Sequence, residues 1–286
     1  MNEISFSSKK KRKETIFKIL KILIIVSIVL VALLPFYISF NYSFKDHTEI
    51  TRNRLALPQN PTLQNYISVI TGNEQFLTGY KNSILNTIPT VLLLMVITSM
   101  ASYVLARFSS KFYRAMYMVF IAGILIPFQC IMLPLYINIY DAGMVSTNIG
   151  FIIARTGLQI SISILVVTGF VKTVPRDLEE AASIDGCNRF QSFWRIVFPL
   201  MKPVNATQLV LNTLFVWNDY NTAVVLLRSA GSRTLPLAQI IYFNENTSEL
   251  NLAFAFFALA MLPILILYLC MQKYVVSGIM TGAVKG

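Results

Sequence analysis

The sequence predicts an all-α, polytopic membrane protein with six transmembrane helices. Three observations carry the prediction. The chain of 286 residues is 55% hydrophobic and only 13% charged, about half the charge of an ordinary soluble protein. Apolar stretches long enough to cross roughly 30 Å of hydrocarbon, about 20 residues at 1.5 Å each, recur six times. Lys and Arg concentrate in alternate connecting segments, as they do in chains that thread a bilayer back and forth.

A basic tail, residues 1–15, precedes the first span at 22–40. Its "KKKRK" run at 9–13 reads as a topology signal and a contact for anionic lipid, not as a nucleic-acid patch. The stretch is too long for a cleaved signal peptide, and "LPFYISFNYS" lacks a small-x-small cleavage site. Segments 84–106, 115–137 and 252–271, like 22–40, contain no Asp, Glu, Lys, Arg or His. Segment 149–171 is broken only by Arg155, and 204–227 only by Asp219. The latter also holds five amides and is the weakest span by hydropathy. Residues 16–286 thus form one six-span domain. Seventeen Lys and Arg lie in the N-terminal segment, the loops 107–114 and 172–203, and the C-terminus; six lie in 41–83, 138–148 and 228–251. The excess predicts a multi-pass protein of the cell membrane with both termini and the loop 172–203 in the cytoplasm.

Soluble chemistry finds little purchase. Cys130, Cys187 and Cys270 are scattered, with neither disulfide nor zinc spacing. His47 is the only histidine, and its place in the outer loop excludes a Ser/His/Asp triad within the membrane. No phosphate-binding G-x-x-x-x-G-K-[ST] occurs. We therefore expect no enzyme, no metal site and no nucleotide bound by this chain. Pro127, Pro134 and Pro263 read as kinks in spans.

The segment "EEAASIDGCNRFQSFWRIVFPLMKP" at 179–203 is the polar exception. Asp177, Glu179 and Glu180 suit the first turn of a helix opened by Pro175, where the dipole favours negative charge. Leu178, Ala181 and Ala182, at i, i+3 and i+4, form a small apolar face that another surface could approach closely. Gly186 ends that helix. Phe190, Phe193, Trp194 and Val197 then suggest a second helix, stopped by Pro199 and Pro203.

Glu180-Ala181-Ala182, three residues including Asp185, Gly186, nine residues, then Ile196-x-Phe198-Pro199 resembles the EAA loop of permease subunits of binding-protein-dependent ABC importers. Phe198 stands where that pattern has Leu, and Cys187 where it has Ala. "FVWNDY" in the fifth span and the C-terminal "YVVSGIMTGAVKG" are similar to the sugar-permease branch that includes the six-span maltose permease subunit. The resemblance implies the type I ABC importer permease fold and a translocation subunit of a sugar importer. It also implies a second permease subunit, two ATP-binding subunits that carry ATP and Mg, and an extracytoplasmic solute-binding protein. Glu180, Ala181, Ala182, Asp185, Gly186, Ile196 and Pro199 would couple to the ATPase subunits, with the helix near 176–186 seated in a groove. An ion-coupled secondary transporter is the alternative, but repeat symmetry and a coupling-ion site are not visible.

Charges inside a span mark a pathway or a partner. Arg155 lies about six residues, roughly 9 Å, below the outer end of its span. Asp219 lies roughly 12 Å below the same surface. Both are expected in the protein interior, paired or bordering a sugar path. Asn218 and Asn221 would add amides suited to hydroxyl groups, and Trp217 a flat apolar face.

Overall fold

The computed structural model describes residues 2–242 and 249–283, with side chains described for 14–240, 242 and 249–272. The side chains of the basic run at 9–13 and of the C-terminal stretch 274–286 lie outside the described residues. Among the described residues the chain is helical throughout, without strands, and it divides into two compact units, 1–69 with 245–259, and 70–244 with 260–286.

The first unit is built on α1 (Asn2–Ser43), a helix apolar on every side from Ile22 to Phe36. An all-round apolar helix belongs in lipid. Helicity runs unbroken through the basic tail. Beyond it, α2 (His47–Arg52) and α3 (Gln64–Thr71) frame a folded loop. Asp46 caps α2: its Oδ1 accepts from Glu49 N at 2.7 Å and from Thr48 Oγ1 at 2.8 Å. These bonds hold its carboxyl below the usual carboxylate range.

Lys45, fully buried, organises this loop. Its Nζ donates to the carbonyls of Asn53 (2.8 Å), Arg54 (3.4 Å) and Ala56 (2.5 Å), so one ammonium gathers three acceptors that a turn cannot satisfy by itself. Asn65 ties the loop's start, donating to the carbonyls of Ser43 and Lys45. We predict that Lys45→Met, which keeps an unbranched stem but lacks the ammonium and its donors, loses about 1.5–3 kcal/mol per charged bond from the loop. Trypsin should then cut the solubilised protein faster at Arg52 and Arg54. Unaltered cleavage there would deny Lys45 this role.

The second unit contains α4 (Glu74–Arg107), α5 (Lys111–Ile124), α6 (Phe128–Asp141), α7 (Asn148–Val171), α8 (Asp177–Ile184), α9 (Arg189–Ser192), α10 (Phe198–Leu200), α11 (Lys202–Trp217), α12 (Asn221–Leu226) and α13 (Leu235–Ala238). It also holds most of α14 (Leu250–Ala283). Of the six expected spans, four are continuous apolar helices: Glu14–Ser43, Glu74–Arg107, Asn148–Val171 and Leu250–Gln272.

The other two differ from the simple expectation. The third span is the pair α5 and α6, bent by 104°. Pro127 stands at the N-cap of α6 in extended conformation, φ −62° and ψ 139°, and a proline disfavours helix in the residue before it. The fifth span is divided. α11 has 16 residues, roughly 24 Å, and α12 resumes after a break at 218–220. Pro134 and Pro263, by contrast, lie inside continuous helices.

α4 and α7 form the most extensive helix pair of this unit, with α11 against both. Their contact is polar as well as apolar. Asn212 Oδ1 accepts from Gln159 Nε2 and Ser163 Oγ, each at 3.2 Å, while its own Nδ2 donates to Gln208 at 3.1 Å. Ser99 donates to Asn205 at 3.4 Å. With no water in hydrocarbon, such groups must find partners inside the protein, and this need fixes how the three helices face one another.

Candidate functional site

α8 carries the acidic residues as expected, and its end is a Schellman turn. The N–H of Cys187 donates to Ala182 O at 2.9 Å and that of Gly186 to Ser183 O at 3.1 Å. Gly186 itself sits at φ +85°, a region costly for residues with a Cβ. A Cβ there would meet nothing within 4 Å, so backbone conformation, not space, requires the glycine.

The second helix is longer than expected. A capping box at Asn188 and Gln191 opens α9. A π-turn follows at Phe193–Val197, with the Phe198 N–H bonded to Phe193 O five residues back. Pro199 has no N–H for the carbonyl of Arg195 and its ring would crowd it. The widened turn absorbs that conflict, so the helix passes Pro199 and reaches Leu200 instead of stopping. Pro203 likewise falls in the first turn of α11 rather than ending a helix. Phe193 and Val197 join Tyr103, Val167, Val171, Met201 and Val204 in one buried cluster, which seats the loop on α4, α7 and α11. Phe190 remains exposed.

The small face of α8 is split. Ala182, 5% exposed, turns into the protein, whereas Leu178, Ala181, Ile184, Asp185 and Gly186 face outward. Ile184 is 87% exposed. Glu180 is exposed, Ile196 half-buried and Pro199 exposed.

Glu179, the neighbour of the expected Glu180, is the residue that fixes α8. Arg107 Nε lies 2.6 Å from its Oε1, and Tyr103 OH donates to its Oε2 at 2.7 Å. Arg107 also donates to Val174 O at 3.0 Å, and Arg176 donates to the carbonyls of Ala106 and Arg107 at 3.4 and 3.3 Å. Beside this clamp opens a cavity of about 340 Å³, bordered by Arg107, Arg176, Glu180, Cys187 and Arg189. The only sequence signal for the clamp was a Tyr and an Arg one turn apart at the end of the second span.

Within the spans, the structure brings Arg155 and Asp219 together. Arg155 Nε and Asp219 Oδ2 are 2.9 Å apart, with side chains 13% and 6% exposed. Their alignment departs from a hydrogen bond, so the contact is coulombic. Arg155 additionally donates to Phe215 O at 3.2 Å, at the negative end of the α11 dipole. Asp219 Oδ1 accepts the Thr222 N–H at 2.9 Å, capping the first turn of α12. The pair thus bridges both sides of the break in the fifth span. Asn218 and Asn221 do not join it: both are exposed, and Asn218 donates back to Leu214 O. Trp217 is buried, its indole N–H bonded to Ala260 O at 3.1 Å and its ring edge-on to Tyr80, so it offers no open face. No cluster of three potential metal ligands occurs among the described residues.

Residues 99–281 match the family of binding-protein-dependent transport system inner membrane components. The chain is similar to the probable starch degradation products transport system permease protein AmyC of Thermoanaerobacterium thermosulfurigenes, 36% identical over 251 residues (88% of this chain, 91% of the relative). It is 35% identical over 254 residues to the melibiose/raffinose/stachyose import permease protein MelC of Bacillus subtilis (strain 168), covering 88% and 91%. Among solved structures, a chain of a bacterial ABC transporter involved in the import of the acidic polysaccharide alginate superposes with a TM-score of 0.83 at 25% identity, covering 92% of this chain and 98% of that one. A chain of a bacterial alginate ABC transporter in complex with an alginate pentasaccharide-bound periplasmic protein shares the fold, with a TM-score of 0.65 at 14% identity over 90% and 96%.

Proposed function

The chain belongs to the family of binding-protein-dependent transport system inner membrane components, and from that premise we propose that it is one permease subunit of an ATP-driven sugar or oligosaccharide importer. It forms half of the translocation path beside a second permease subunit. Two ATP-binding subunits supply the nucleotide and Mg chemistry, and an extracytoplasmic solute-binding protein delivers the sugar. This chain has no ATPase site of its own. Carbohydrate as substrate is supported by the relatives, named for starch products and for melibiose, raffinose and stachyose. The Lys and Arg imbalance supports a cytoplasmic position for α8 and both termini. Lipid surrounds the apolar helices, and nucleic acid has no part.

The observation that carries the coupling role is the two-sidedness of α8. Glu179 and Ala182 bind it to its own chain, while Leu178, Ala181 and Ile184 are left bare beside Glu180 and Asp185. An isoleucine so exposed in water gains about 1.5–3 kcal/mol when fully covered, and a groove in an ATPase subunit provides the cover.

We expect Ile184→Asp to leave the protein inserted but to lower co-purification of the ATPase subunits and ATP-dependent uptake about tenfold or more, the equivalent of roughly 1.4 kcal/mol or above. Uptake of candidate oligosaccharides and co-purification both at the unaltered level would remove the docking role from α8. Uptake driven by an ion gradient without ATP would replace the whole reading by secondary transport.

A further inference from the structure

We propose that α4 is a one-piece strut that joins α8 to the segment 229–238 at the far side of the membrane, with Tyr103, Arg107, Asn82 and Ser83 as positioning residues at its two ends. The proposal rests on the reading of α8 as the ATPase-docking helix. α4 is 34 residues long, roughly 51 Å, which exceeds the hydrocarbon thickness of about 30 Å. One helix therefore emerges on both sides.

Both ends are gripped. At the C-terminal end, Arg107 and Tyr103 hold the Glu179 carboxylate, Arg107 holds Val174 O, and Arg176 reaches back to the last carbonyls of α4. At the N-terminal end, Asn82 Nδ2 donates to Gly231 O at 2.8 Å and to Arg233 O at 3.0 Å. Ser83 Oγ accepts the Leu235 N–H at 2.9 Å. One turn earlier, a Cβ at Gly79 would lie 3.2 Å from Ala238 Cβ, so α13 rests directly on the helix. Asn82 and Ser83 are buried, at 7% and 1% exposure.

These are bonds to backbone, which hold the path of the segment and not merely a side chain. Between the ends, Ser102 meets Ile164 O and Ser99 meets Asn205, and Val91 and Leu94 are buried. Pro89 removes one backbone bond, yet the helix continues across it. A displacement of α8 along the α4 axis is thereby handed to the segment 229–238, because packed helices shift as bodies rather than stretch. The division of labour between neighbouring carboxylates follows: Glu179 faces the strut, and Glu180 is free for the partner.

The experiment uses the complete transporter in nanodiscs, with Cys130, Cys187 and Cys270 replaced by serine and one reporter, Ala230→Cys, in the exposed part of the segment. Its labelling rate with a hydrophilic maleimide is measured without nucleotide and after trapping with ATP and vanadate. With the strut intact, trapping should change the rate several-fold. Arg107→Ala with Glu179→Gln at one end, and Asn82→Leu at the other, should each abolish the change while the ATPase subunits still co-purify. The exchange Arg107→Glu with Glu179→Arg should restore it in part, because the ion pair returns while the bonds to Val174 O and from Tyr103 do not. A reporter that ignores nucleotide in the otherwise unaltered complex overturns the strut, as does a full-sized change in either broken variant. A loss seen only where the ATPase subunits have dissociated overturns it too, leaving a local packing role. Failure of the docking reading is seen separately, as uptake and co-purification that both survive Ile184→Asp.

Discussion

Arg155→Ala and Asp219→Ala should each reduce the folded, membrane-inserted yield severalfold, and the double replacement should be less harmful than either. The reason lies in what each single change leaves behind. Both side chains are largely buried and 2.9 Å apart, and removing one partner of such a pair strands the other charge at a cost of about 3–5 kcal/mol. Without Asp219, Arg155 keeps only the Phe215 carbonyl, and the start of α12 loses its cap. Without Arg155, a carboxylate with only the Thr222 N–H for a partner stays at a helix break inside the membrane. The double variant removes both charges and forfeits chiefly the attraction and the cap. The shortfall of its loss from the summed losses of the singles is a coupling energy, read from a double-mutant cycle of thermal stability in detergent. Additive losses would mean that the two residues do not depend on each other. Uptake by the folded fraction separates a pathway role from a fastening role, since a fastener alone leaves the transport rate per folded molecule intact.

At Gly186 the expected loss is of uptake more than of yield. With φ at +85°, an L-residue costs about 1–2 kcal/mol, and a β-branched one more. The turn can relieve that strain only by releasing the bonds from Cys187 and Gly186 to α8, which re-aims α9 relative to α8. We expect Gly186→Val to lower ATP-dependent uptake at least tenfold with the protein still in the membrane. Gly186→Asn, whose side chain tolerates this region, should lose only a fewfold. Because a Cβ at this position meets no neighbour, equal damage by Val and Asn would point to surface contact with a partner rather than to backbone conformation.

What the sequence discloses divides by the range of the interactions involved. Gly186 was legible because a helix stop followed by a new cap is local chemistry, written within three residues. Matching depth offered the pairing of Arg155 with Asp219 as one of two readings, the other being a place beside a sugar path, and the structure shows the contact. The segments 22–40, 84–106 and 252–271 were plain, and each lies in a continuous helix, because hydrocarbon demands uninterrupted apolar residues. The bend between α5 and α6 was not, for hydropathy averages over a window and is blind to the direction of the axis. Pro127 marked the place without giving the 104°. Periodicity placed Ala181 and Ala182 on one face, yet which of them turns inward is decided by Tyr103 and Arg107, more than seventy residues away. For the same reason Glu180 stood out in the motif while Glu179, whose partners come from another span, read only as a charge suited to the first turn of a helix. The π-turn that carries the helix past Pro199 needed the geometry of the backbone itself.

A ribosome delivers α7 to the bilayer before α11. Entering by itself, α11 would bring Asn205, Gln208 and Asn212 into hydrocarbon, where each unmet amide is costly. α7 already offers Gln159 and Ser163 to Asn212, and α4 offers Ser99 to Asn205. The earlier helices are thus the solvent into which the fifth is dissolved. We expect its place in the membrane to rest on these earlier partners more than on its own hydropathy.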